Sequence, residues 1–498
     1  PIFWFGVLGA GALVDDSKIK GVVIATPQGL GVVLADVVID STGSGDIAVA
    51  AGSEHEYTGE DIFAVQGAGL PPVNPGDYYN NTDWTFIDDS DVYDITRLFV
   101  SGKSVYNNDN VYDIGKLPQT RERRRIIGDH MVSVLDVLNH RRYPDTISYH
   151  KSSFDTHGYT IDPFFTISPP MERHTIYDAD VPIRSLIPKG LDNIIVTGLG
   201  ASAHRDAMPV IRMQPCLQNQ GYSVGYLSAL AIKDKRSIRE MDIKKVQPHL
   251  VEKGILPKRV LTDVDNFPFA DDELKQAVNH LPQESDGLQI SLTNPDRSEE
   301  LLLEAYCQAD DDDAKVIYAQ VLCMMGNGTG LEDVIEKVRS YSDWDEGWNY
   351  TGMGQFGACM SKLDSLIIAL GKTKQEKALP AILEKARILT AQHKFSHYRA
   401  VALACEDIGS SSAAQVLSEL LDMQGIAGHH VTDLKQARSA VVQDRVDVSL
   451  RNNALREIHL ARALYRCGDY NGKGAQILKN YSQDLHGHYF RHATGILG

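Results

Sequence analysis

The chain has 498 residues, of which 43% are hydrophobic and 23% are charged, a balance typical of globular proteins with a substantial core. This length predicts about three domains. The formal net charge of -17 argues against a nucleic-acid partner, and because no run of eighteen apolar residues occurs, no membrane-spanning helix is expected.

The first 52 residues have the composition of strands separated by turns. Ile2–Val7 is apolar, and the apolar runs that follow are separated by glycines, which predicts a β-meander. The meander leads to a buried strand, Val37–Ile39, which ends in the small and polar run DSTGSGD at Asp40–Asp46. So many small residues at a strand end indicate that a large flat group or a phosphate comes close to the backbone there.

Residues 53–185 are mixed and irregular, which favours a loop-rich cap inserted into another domain. Within them, the segment QTRERRRIIGDHMVSVLDVLNH predicts one strong helix. A second buried strand, Asn193–Thr197, is followed by a small-residue turn and a long helix. Small residues on one face of that helix predict close packing against a sheet or a ligand; they are Gly221, Gly225, Ser228 and Ala229.

The C-terminal part of the chain changes pattern twice. Residues 257–295 are rich in proline, aspartate and other polar residues, which favours a linker. From Ser298 onward the apolar residues follow the 3.6-residue period of helices. Helix pairs recur there with a period near 40 residues, typical of HEAT-like α-solenoids, and an irregular helical domain is the alternative. The glycines predicted to mark equivalent turns are Gly326, Gly371, Gly409 and Gly468.

Four blocks resemble the FAD-dependent oxidoreductases whose flavin domain has the glutathione-reductase type of fold, and in particular a large bacterial branch of them. In chain order the blocks are VVIDSTGSGDIAVAAG, RERRRIIGDHMVSVLDVL, YPDTISYHKSSFDTHG and LIPKGLDNIIVTGLGASAHRDAMPVIRMQPCLQNQGYSVG. The resemblance covers residues 1 to about 265. It implies a partial α/β flavin-binding domain (1–60 and 186–256) with an inserted α+β substrate domain (61–185). After the linker (257–295) an all-α HEAT-like solenoid (296–498) follows.

One element of that fold is not found in the sequence. The fold opens with a strand, a GxGxxG turn and a helix whose N-terminal amides hold the FAD pyrophosphate. Gly9–Val14 fails as this motif because its third small position is Val14 and the next residues do not continue as a helix. The resemblance places Pro1 after that opening unit, so we expect an N-terminal companion segment or chain to complete the FAD site.

The six cysteines form no CxxC pair, and five lie in segments with a helical pattern. This favours buried free thiols and a reducing compartment. A companion segment of the expected kind would be the place for a secretory signal, so the sequence leaves both a cytoplasmic and a periplasmic location open.

The resemblance implies FAD contacts at both strand ends and at the long helix. The helix N-terminus would face the pyrimidine side of the isoalloxazine, where its partial positive charge stabilises reduced flavin. Arg212 would add a charge there or bind an anionic substrate, with a salt bridge to a neighbouring acid as the alternative. For the first strand end, an ordinary strand-to-helix turn is the alternative. The residues assigned to FAD are Ser41, Thr42, Gly43, Asp46, Arg125, Gly198, Arg212, Met213 and Gln214.

Two pairs are candidates for catalysis by the same resemblance. His204 and Arg205 follow the GLGASA turn and are expected to face the flavin, with His204 taking a proton as substrate delivers hydride to flavin N5. Asp155 and His157 form a second acid/base pair. For His204 the alternative is a structural histidine that hydrogen-bonds a backbone carbonyl. For Asp155 and His157 the alternative is that they cap a turn. The sequence contains no metal motif of the HExxH, paired CxxC or EF-hand type.

Two functions compete at this point. The first is an enzyme that oxidises a small organic substrate with FAD, while the solenoid serves recognition or assembly. A substrate cleft rich in tyrosine, histidine and aspartate suits a polyhydroxylated molecule such as a sugar. The second is a catalytically inactive flavoprotein-like scaffold whose helical repeats bind a protein partner. The retained blocks IDSTGSGD and GLGASAHRDAMPVIRM favour the enzyme, because an inactive site has no physical reason to keep so many small residues.

Overall fold

The computed structural model describes residues 2–57, 91–105, 121, 123–156, 159–168, 175–283, 286–349, 360–439 and 449–498. Contacts divide the chain into two compact units. The first, called the α/β unit, comprises residues 1–58, 123–155 and 174–267. The second, called the helical unit, comprises residues 59–122, 156–173 and 268–498. The N-terminal region is thus α/β and the C-terminal region all-helical, while the five domain boundaries drawn from the sequence stay predictions.

All strands of the described residues belong to the α/β unit and form one three-stranded and three two-stranded sheets. Their bounds are β1 (Leu8–Asp15), β2 (Lys18–Thr26), β3 (Gly29–Leu34), β4 (Val38–Asp40), β5 (His55–Glu56), β6 (Arg125–Ile126), β7 (Thr146–Ser152), β8 (Tyr177–Pro182) and β9 (Ile194–Val196).

The helices are numbered along the whole chain, and none in the described part is long and apolar enough to cross a membrane. Those of the α/β unit are α1 (Asp46–Ala50), α3 (Val134–Leu138), α5 (Met208–Ile211), α6 (Gln214–Asp234) and α7 (Ile243–Glu252). Those of the helical unit are α2 (Val92–Val105), α4 (Pro163–Ile167), α8 (Asp271–His280), α9 (Asp286–Ser291), α10 (Pro295–Gln308), α11 (Asp312–Met324), α12 (Leu331–Ser340), α13 (Lys362–Lys372), α14 (Leu379–Ala386), α15 (Phe395–Ile408), α16 (Ala414–Asp422), α17 (Leu434–Ser439), α18 (Ser449–Arg466), α19 (Lys473–Tyr481) and α20 (Gly487–Leu497).

The predicted meander is present as the antiparallel sheet β1-β2-β3. The sheet begins at Leu8, so the apolar residues Ile2–Phe5 precede it instead of forming a strand. Gly9–Val14, which resembles part of a phosphate-binding motif, lies within β1. After the meander, β4 pairs in parallel with β9, although about 150 residues separate them in the sequence. The side chains of Ile19, Val38, Ile47 and Ile194 belong to the core beneath this pair.

The helix predicted for QTRERRRIIGDHMVSVLDVLNH is wrong. The described part of this segment contains the strand β6 and only a short helix, α3, which starts at the capping box of Ser133 and Asp136. Gly128 shows the physical reason, because a Cβ added there would lie 2.8 Å from the Cβ of Ser202 and 3.0 Å from the carbonyl oxygen of Arg184. The chain is held in an extended course between these neighbours, so tertiary packing overrides helix propensity.

The helical unit is built from the helix pairs that the periodicity predicted. The first helices of successive pairs pack side by side: α11 on α13, α13 on α15, and α15 on α18. The second helices also pack in order, α12 on α14 and α14 on α16. Every residue of α13 from Leu363 to Gly371 is buried, as expected for a helix with neighbours on all sides.

The turn glycines are not all equivalent. Gly326, Gly409 and Gly468 have positive φ of 87°, 69° and 98° at helix ends, as C-terminal caps require. Gly371 lies inside α13, and the left-handed residue after that helix is Lys374, with φ 55°. The prediction of a turn at Gly371 is therefore wrong.

Two other sequence features differ from expectation. Residues 257–295, which the composition assigned to a linker, contain the helices α8 and α9. A Cβ added at Gly221 or Gly225 of α6 would meet no atom within 4 Å, so at these two positions the small face of α6 is open in the described structure.

The thiols follow the prediction in part. Cys323, Cys405 and Cys467 are buried and free, and burial raises the pKa of the Cys323 thiol to about 12. Cys216 is half-buried and Cys307 is exposed. Cys359 lies outside the described residues.

Candidate functional site

Two turns of the α/β unit begin side by side at the carboxyl ends of β4 and β9. The strands pair in register, with Asp40 opposite Val196. One residue further, the Oγ of Ser41 lies 2.8 Å from the Oγ1 of Thr197. The backbone N–H of Thr197 also donates to the carbonyl oxygen of Asp40 at 3.0 Å. The small-residue segments that the sequence singled out are therefore adjacent in space.

The carboxylate of Asp40 organises the first turn. Its side chain is buried, and its Oδ1 accepts from the N–H of Thr42 at 3.0 Å and from the Oγ1 of Thr42 at 2.7 Å. Its Oδ2 accepts from the N–H groups of Ile47 at 2.9 Å and Ala48 at 3.0 Å. One carboxylate thus closes the turn and binds the first amides of α1. Sequence reasoning assigned no role to Asp40, although an aspartate between a buried strand and a short helix is a usual capping signal.

Glycines shape both turns. Gly43, Gly45 and Gly198 have φ of 89°, 62° and 73°, which other residues adopt only with strain. At Gly200 an added Cβ would lie 3.0 Å from the backbone nitrogen of Gly45, so the two turns touch through their main chains. At Gly198 the nearest atom to an added Cβ is the Cδ1 of Leu217, at 3.8 Å. The main chain of the second turn is therefore open to a ligand, next to the first turn of α6.

A buried polar chain holds the second turn. The N–H of Gly198 donates to the Oε1 of Gln220 at 3.0 Å, which directs the amide nitrogen of Gln220 toward the Nε2 of His150 at 3.4 Å. The Oγ of Ser148 lies 2.6 Å from the same Nε2. Burial lowers the pKa of His150 to about 3, so the ring is neutral and its Nε2 accepts hydrogen bonds. Sequence reasoning missed Gln220 and His150, since nothing local distinguishes them.

The buried, neutral ring of His150 predicts that acid lowers the free energy of unfolding of the α/β unit. The pKa of His150 is about 3 in the folded protein, against 6.5 for an ordinary histidine, so the unfolded chain binds an extra proton below pH 6.5. The stability that the neutral ring supports is present above pH 6.5 and is lost as the pH falls toward 3. We expect His150 to account for about 2 kcal/mol of the loss between pH 7 and pH 5.

The test compares unfolding free energies of the natural chain and His150→Gln at pH 7, 6 and 5. The natural chain should lose stability more steeply, and the difference between the two slopes isolates His150 from other buried histidines such as His459 and His488, whose pKa values burial also lowers. Parallel slopes would mean that His150 is not buried in its neutral form.

The predicted FAD residues fall into two groups. Ser41, Thr42, Gly43 and Asp46 form the first turn together, and Gly198 begins the second. Arg125 is buried on β6, where its Nη1 donates to the carbonyl of Arg123 at 3.2 Å and its Nη2 lies 3.7 Å from the carboxylate of Glu56.

Two other arginines contact the first turn. The Nη1 of Arg123 lies 3.4 Å from the Oγ of Ser44, and Arg124 forms an ion pair with Asp46. Of this arginine-rich segment, the resemblance had assigned Arg125 to the cofactor. The extended course of this segment brings positions 123 and 124 to the turn, an arrangement that a helix would not give.

Met213 and Gln214 begin α6, a helix of 21 residues. No side chain caps its N-terminus, and Pro215 occupies the first turn without an N–H of its own. Gln214 is exposed, and Leu217 in the first turn faces Gly198. Arg212, just before the helix, donates from Nη2 to the carbonyl oxygen of Asp155 at 2.8 Å. This hydrogen bond therefore links Arg212, which the sequence analysis assigned to FAD, to Asp155, which it assigned to catalysis.

The candidate catalytic residues differ in accessibility. His204 is half-buried, and its Nδ1 lies 3.3 Å from the backbone N–H of Asp206, which only donates. This contact makes Nδ1 an acceptor and leaves the proton of the neutral ring on Nε2. Arg205 is buried, with its Nη1 3.6 Å from the Oδ1 of Asp206. Asp155 is half-buried, and His157 lies outside the described residues.

Comparisons with known proteins support one broad class. Residues 4–66 and 72–250 match the family model described as FAD dependent oxidoreductase. The match supports a general flavin oxidoreductase, and the family implies FAD binding. No curated protein matches the chain. Among solved structures, a chain of the CpcE–CpcF complex of phycocyanin lyase from Nostoc sp. PCC7120 is similar, with 19% identity over 36% of this chain and 69% of that chain and a TM-score of 0.21. In the described residues no group of three or more histidine, cysteine or acidic side chains is arranged to hold a metal ion.

Proposed function

We propose that this protein is an FAD-dependent oxidoreductase whose cofactor lies across the ends of β4 and β9. The observation that carries the proposal is the contact between the two glycine turns, through Gly200 and Gly45. A dinucleotide needs main chain that side chains do not cover, and the second turn offers it at Gly198, whereas at Gly43 of the first turn an added Cβ would lie 3.0 Å from the Nη1 of Arg123. The family match over residues 4–66 and 72–250 supports the same class of protein.

Three features of the described residues fit a flavin dinucleotide. The backbone is open at Gly198, where no atom lies closer than 3.8 Å to an added Cβ. The uncapped N-terminus of α6 begins beside it and supplies partial positive charge. Arg123 and Arg124 lie at the first turn, and guanidinium groups suit phosphate.

We assign the residues of the two turns to adjacent parts of the cofactor. Ser41, Thr42, Gly43 and Asp46 contact the dinucleotide at the first turn, with Arg123 and Arg124 in addition to Arg125. Next to them the isoalloxazine rests on the second turn and the start of α6. The residues assigned there are Gly198, Arg212, Met213 and Gln214.

When bound, FAD supplies a hydride acceptor for the oxidation of a small organic substrate, for which we propose a polyhydroxylated molecule. The Nδ1 of His204 accepts from the N–H of Asp206, so Nε2 is the ring atom suited to donate a hydrogen bond to a substrate oxygen. The carboxylate of Asp155 is then the better candidate for the base, with His157 as its predicted partner. Arg205 is buried against Asp206 and acts as a positioning residue.

We also propose that a companion segment or chain completes the cofactor site. Among the described residues the parallel sheet at the site has only the strands β4 and β9. Ile39 on β4 is 37% exposed, and on β3 Leu30 and Leu34 are exposed as well. Exposed apolar side chains of this kind are typical of a surface that another chain segment covers.

For the helical unit we propose a HEAT-like solenoid that serves recognition or assembly. Its support is the stacking of successive helix pairs, first helix on first helix and second on second.

The proposal is tested by asking whether the protein carries or binds FAD. Protein purified together with any chain that accompanies it should show a flavin absorption spectrum or bind added FAD. Intact mass under denaturing conditions then reports a shorter companion polypeptide and any covalently attached flavin. A colourless protein that binds no added FAD with the companion present would instead favour the scaffold.

Gly198→Ala should weaken FAD binding at least tenfold, because a Cβ would occupy the open side of the second turn. Gly190→Ala is the matched control, since Gly190 has nearly the same φ, 76° against 73°, and open space around it. Both substitutions cost about 1–2 kcal/mol in backbone strain, so only the FAD affinity separates them. Equal affinity in the two variants would remove Gly198 from the proposed site.

A further inference from the structure

A cavity of about 300 Å³ lies within the helical unit, and no function has yet been assigned to it. This volume is at the lower end of small-molecule sites, which span roughly 300–1,000 Å³. Its wall combines the segment around α4 with the C-terminal parts of α11 and α13 and the middle of α15 and α18. The lining residues fall into an apolar set, Ile161, Pro163, Met324, Ile368 and Leu403, and a polar set, Tyr159, Thr166, Lys372, Arg399, His459 and Arg462.

Charged side chains are buried in this wall. Arg399 is 5% exposed and Arg462 is 3% exposed, yet both line the cavity. Burying a cation is costly unless anions or hydrogen-bond acceptors compensate it. Arg462 donates from Nε to Glu406 at 2.8 Å, and the Nζ of Lys372 lies 2.9 Å from Asp407.

The compensating carboxylates do not face the cavity. Neither Glu406 nor Asp407 lines it, and no aspartate or glutamate occurs among its described lining residues. The cavity is therefore lined by three cationic side chains, Lys372, Arg399 and Arg462, beside apolar ones. Such a cavity favours an anion that carries apolar atoms.

Tyr159 holds one of these cations in place. The guanidinium of Arg399 stacks on the Tyr159 ring, 3.9 Å from its centroid, and its Nη2 donates to the carbonyl oxygen of Thr160 at 3.0 Å. The hydroxyl of Tyr159 in turn bonds the Nε2 of His459 at 2.8 Å. Burial and the nearby arginines lower the pKa of His459, so its ring stays neutral and orients Tyr159 without adding charge. The arginine is thus fixed before any ligand arrives.

We propose that this cavity binds a small organic anion, with its carboxylate or phosphate against Lys372, Arg399 and Arg462 and its apolar part against Ile161, Ile368 and Leu403. Arginine suits both anionic groups, since its planar fork matches their oxygens. Only the segment around α4 lies within the residues that match the flavin family, and the helices that close the cavity lie beyond residue 250. The site belongs to the helical unit and does not depend on flavin.

The experiment measures binding of four probes to the full chain by titration calorimetry: hexanoate, hexyl phosphate, hexan-1-ol and inorganic phosphate. Saturable binding of hexanoate or hexyl phosphate is expected, at least tenfold tighter than that of hexanol and of inorganic phosphate. The stronger of the two organic anions identifies the head group. Equal affinity for hexanol would overturn the anion site, and equal affinity for inorganic phosphate would overturn its apolar part.

Two variants locate the binding. Lys372→Gln should weaken the organic anion about tenfold, and Leu403→Trp should abolish binding by filling the apolar part. Lys377→Gln is the matched control, because Lys377 is a half-exposed lysine paired with Glu332 at 3.1 Å and does not line the cavity. Thermal unfolding by circular dichroism verifies that each variant is folded. No saturable binding by either organic anion, or equal losses in the two lysine variants, would refute the proposal.

Discussion

Replacing Asp40 by alanine is expected to lower the free energy of unfolding by about 3–5 kcal/mol and to remove FAD binding. The carboxylate accepts four hydrogen bonds, two from Thr42 and one each from the amides of Ile47 and Ala48. Thr42 is exposed, so water can replace the acceptor there, but Ile47 and Ala48 are buried. Their two amides would each lose a charged acceptor, at a cost of about 1–3 kcal/mol apiece.

Asp242→Ala is the matched control for this prediction. Asp242 also caps a helix of the α/β unit, since its side chain accepts from the N–H of Lys244 at 3.2 Å. Because this hydrogen bond is exposed to water, removing the Asp242 carboxylate should lower the free energy of unfolding by only about 1 kcal/mol.

Denaturant unfolding gives the two free energies, and absorbance of bound flavin gives the second readout. Asp40→Asn should fall between the natural chain and the alanine variant, because the amide keeps one acceptor but turns a donor toward the other N–H groups. If Asp40→Ala costs no more than Asp242→Ala, the carboxylate does not organise the turn.

Features that depend on neighbouring residues were predictable. The meander, the two small-residue strand ends and the helix pairs all follow from local apolar patterns and glycine positions. The juxtaposition of Ser41 and Thr197 was expected only because a family resemblance linked two distant blocks, since no local pattern relates residues 156 positions apart.

Features that depend on distant partners were not predictable. The segment around Gly128 has helical periodicity, but its course is set by contacts with Ser202 and Arg184. Gln220 and His150 lie 70 residues apart, and although each falls within a block that carries the family resemblance, no local pattern relates one to the other. Asp40 was visible as a residue, but its four donors become evident only when the turn is folded around it.

Gly371 shows the same limit in the helical unit and leads to the second large effect. A glycine near the end of a helical pattern predicts a turn, but the structure places Gly371 inside α13. An added Cβ there would lie 2.4 Å from the Cα and 2.8 Å from the Cβ of Ala404 on α15. The residue is glycine because two helices meet backbone to backbone at this point.

Gly371→Ala therefore tests whether helix packing or helix propensity decides the change in stability at this position. In an exposed helix the substitution adds about 1 kcal/mol of stability. Here the added Cβ clashes with the backbone of α15, so the two helices must separate. Overpacking of this kind costs up to about 3 kcal/mol or more. We expect a net loss of about 2–3 kcal/mol, together with weaker binding of the organic anion, since both helices line its cavity.

Gly221→Ala in α6 is the control, because it is expected to raise the free energy of unfolding instead of lowering it. An added Cβ at Gly221 meets no atom within 4 Å, so only propensity operates and a gain of about 0.5–1 kcal/mol is expected. Denaturant unfolding is followed by circular dichroism, which reports both units, and by tryptophan fluorescence, to which Trp344 and Trp348 of the helical unit contribute together with Trp4 of the α/β unit. If Gly371→Ala were also stabilising, α13 and α15 would have to lie further apart than the 2.4 Å between an added Cβ and the Cα of Ala404 implies, and the cavity that both helices line would not have the described shape.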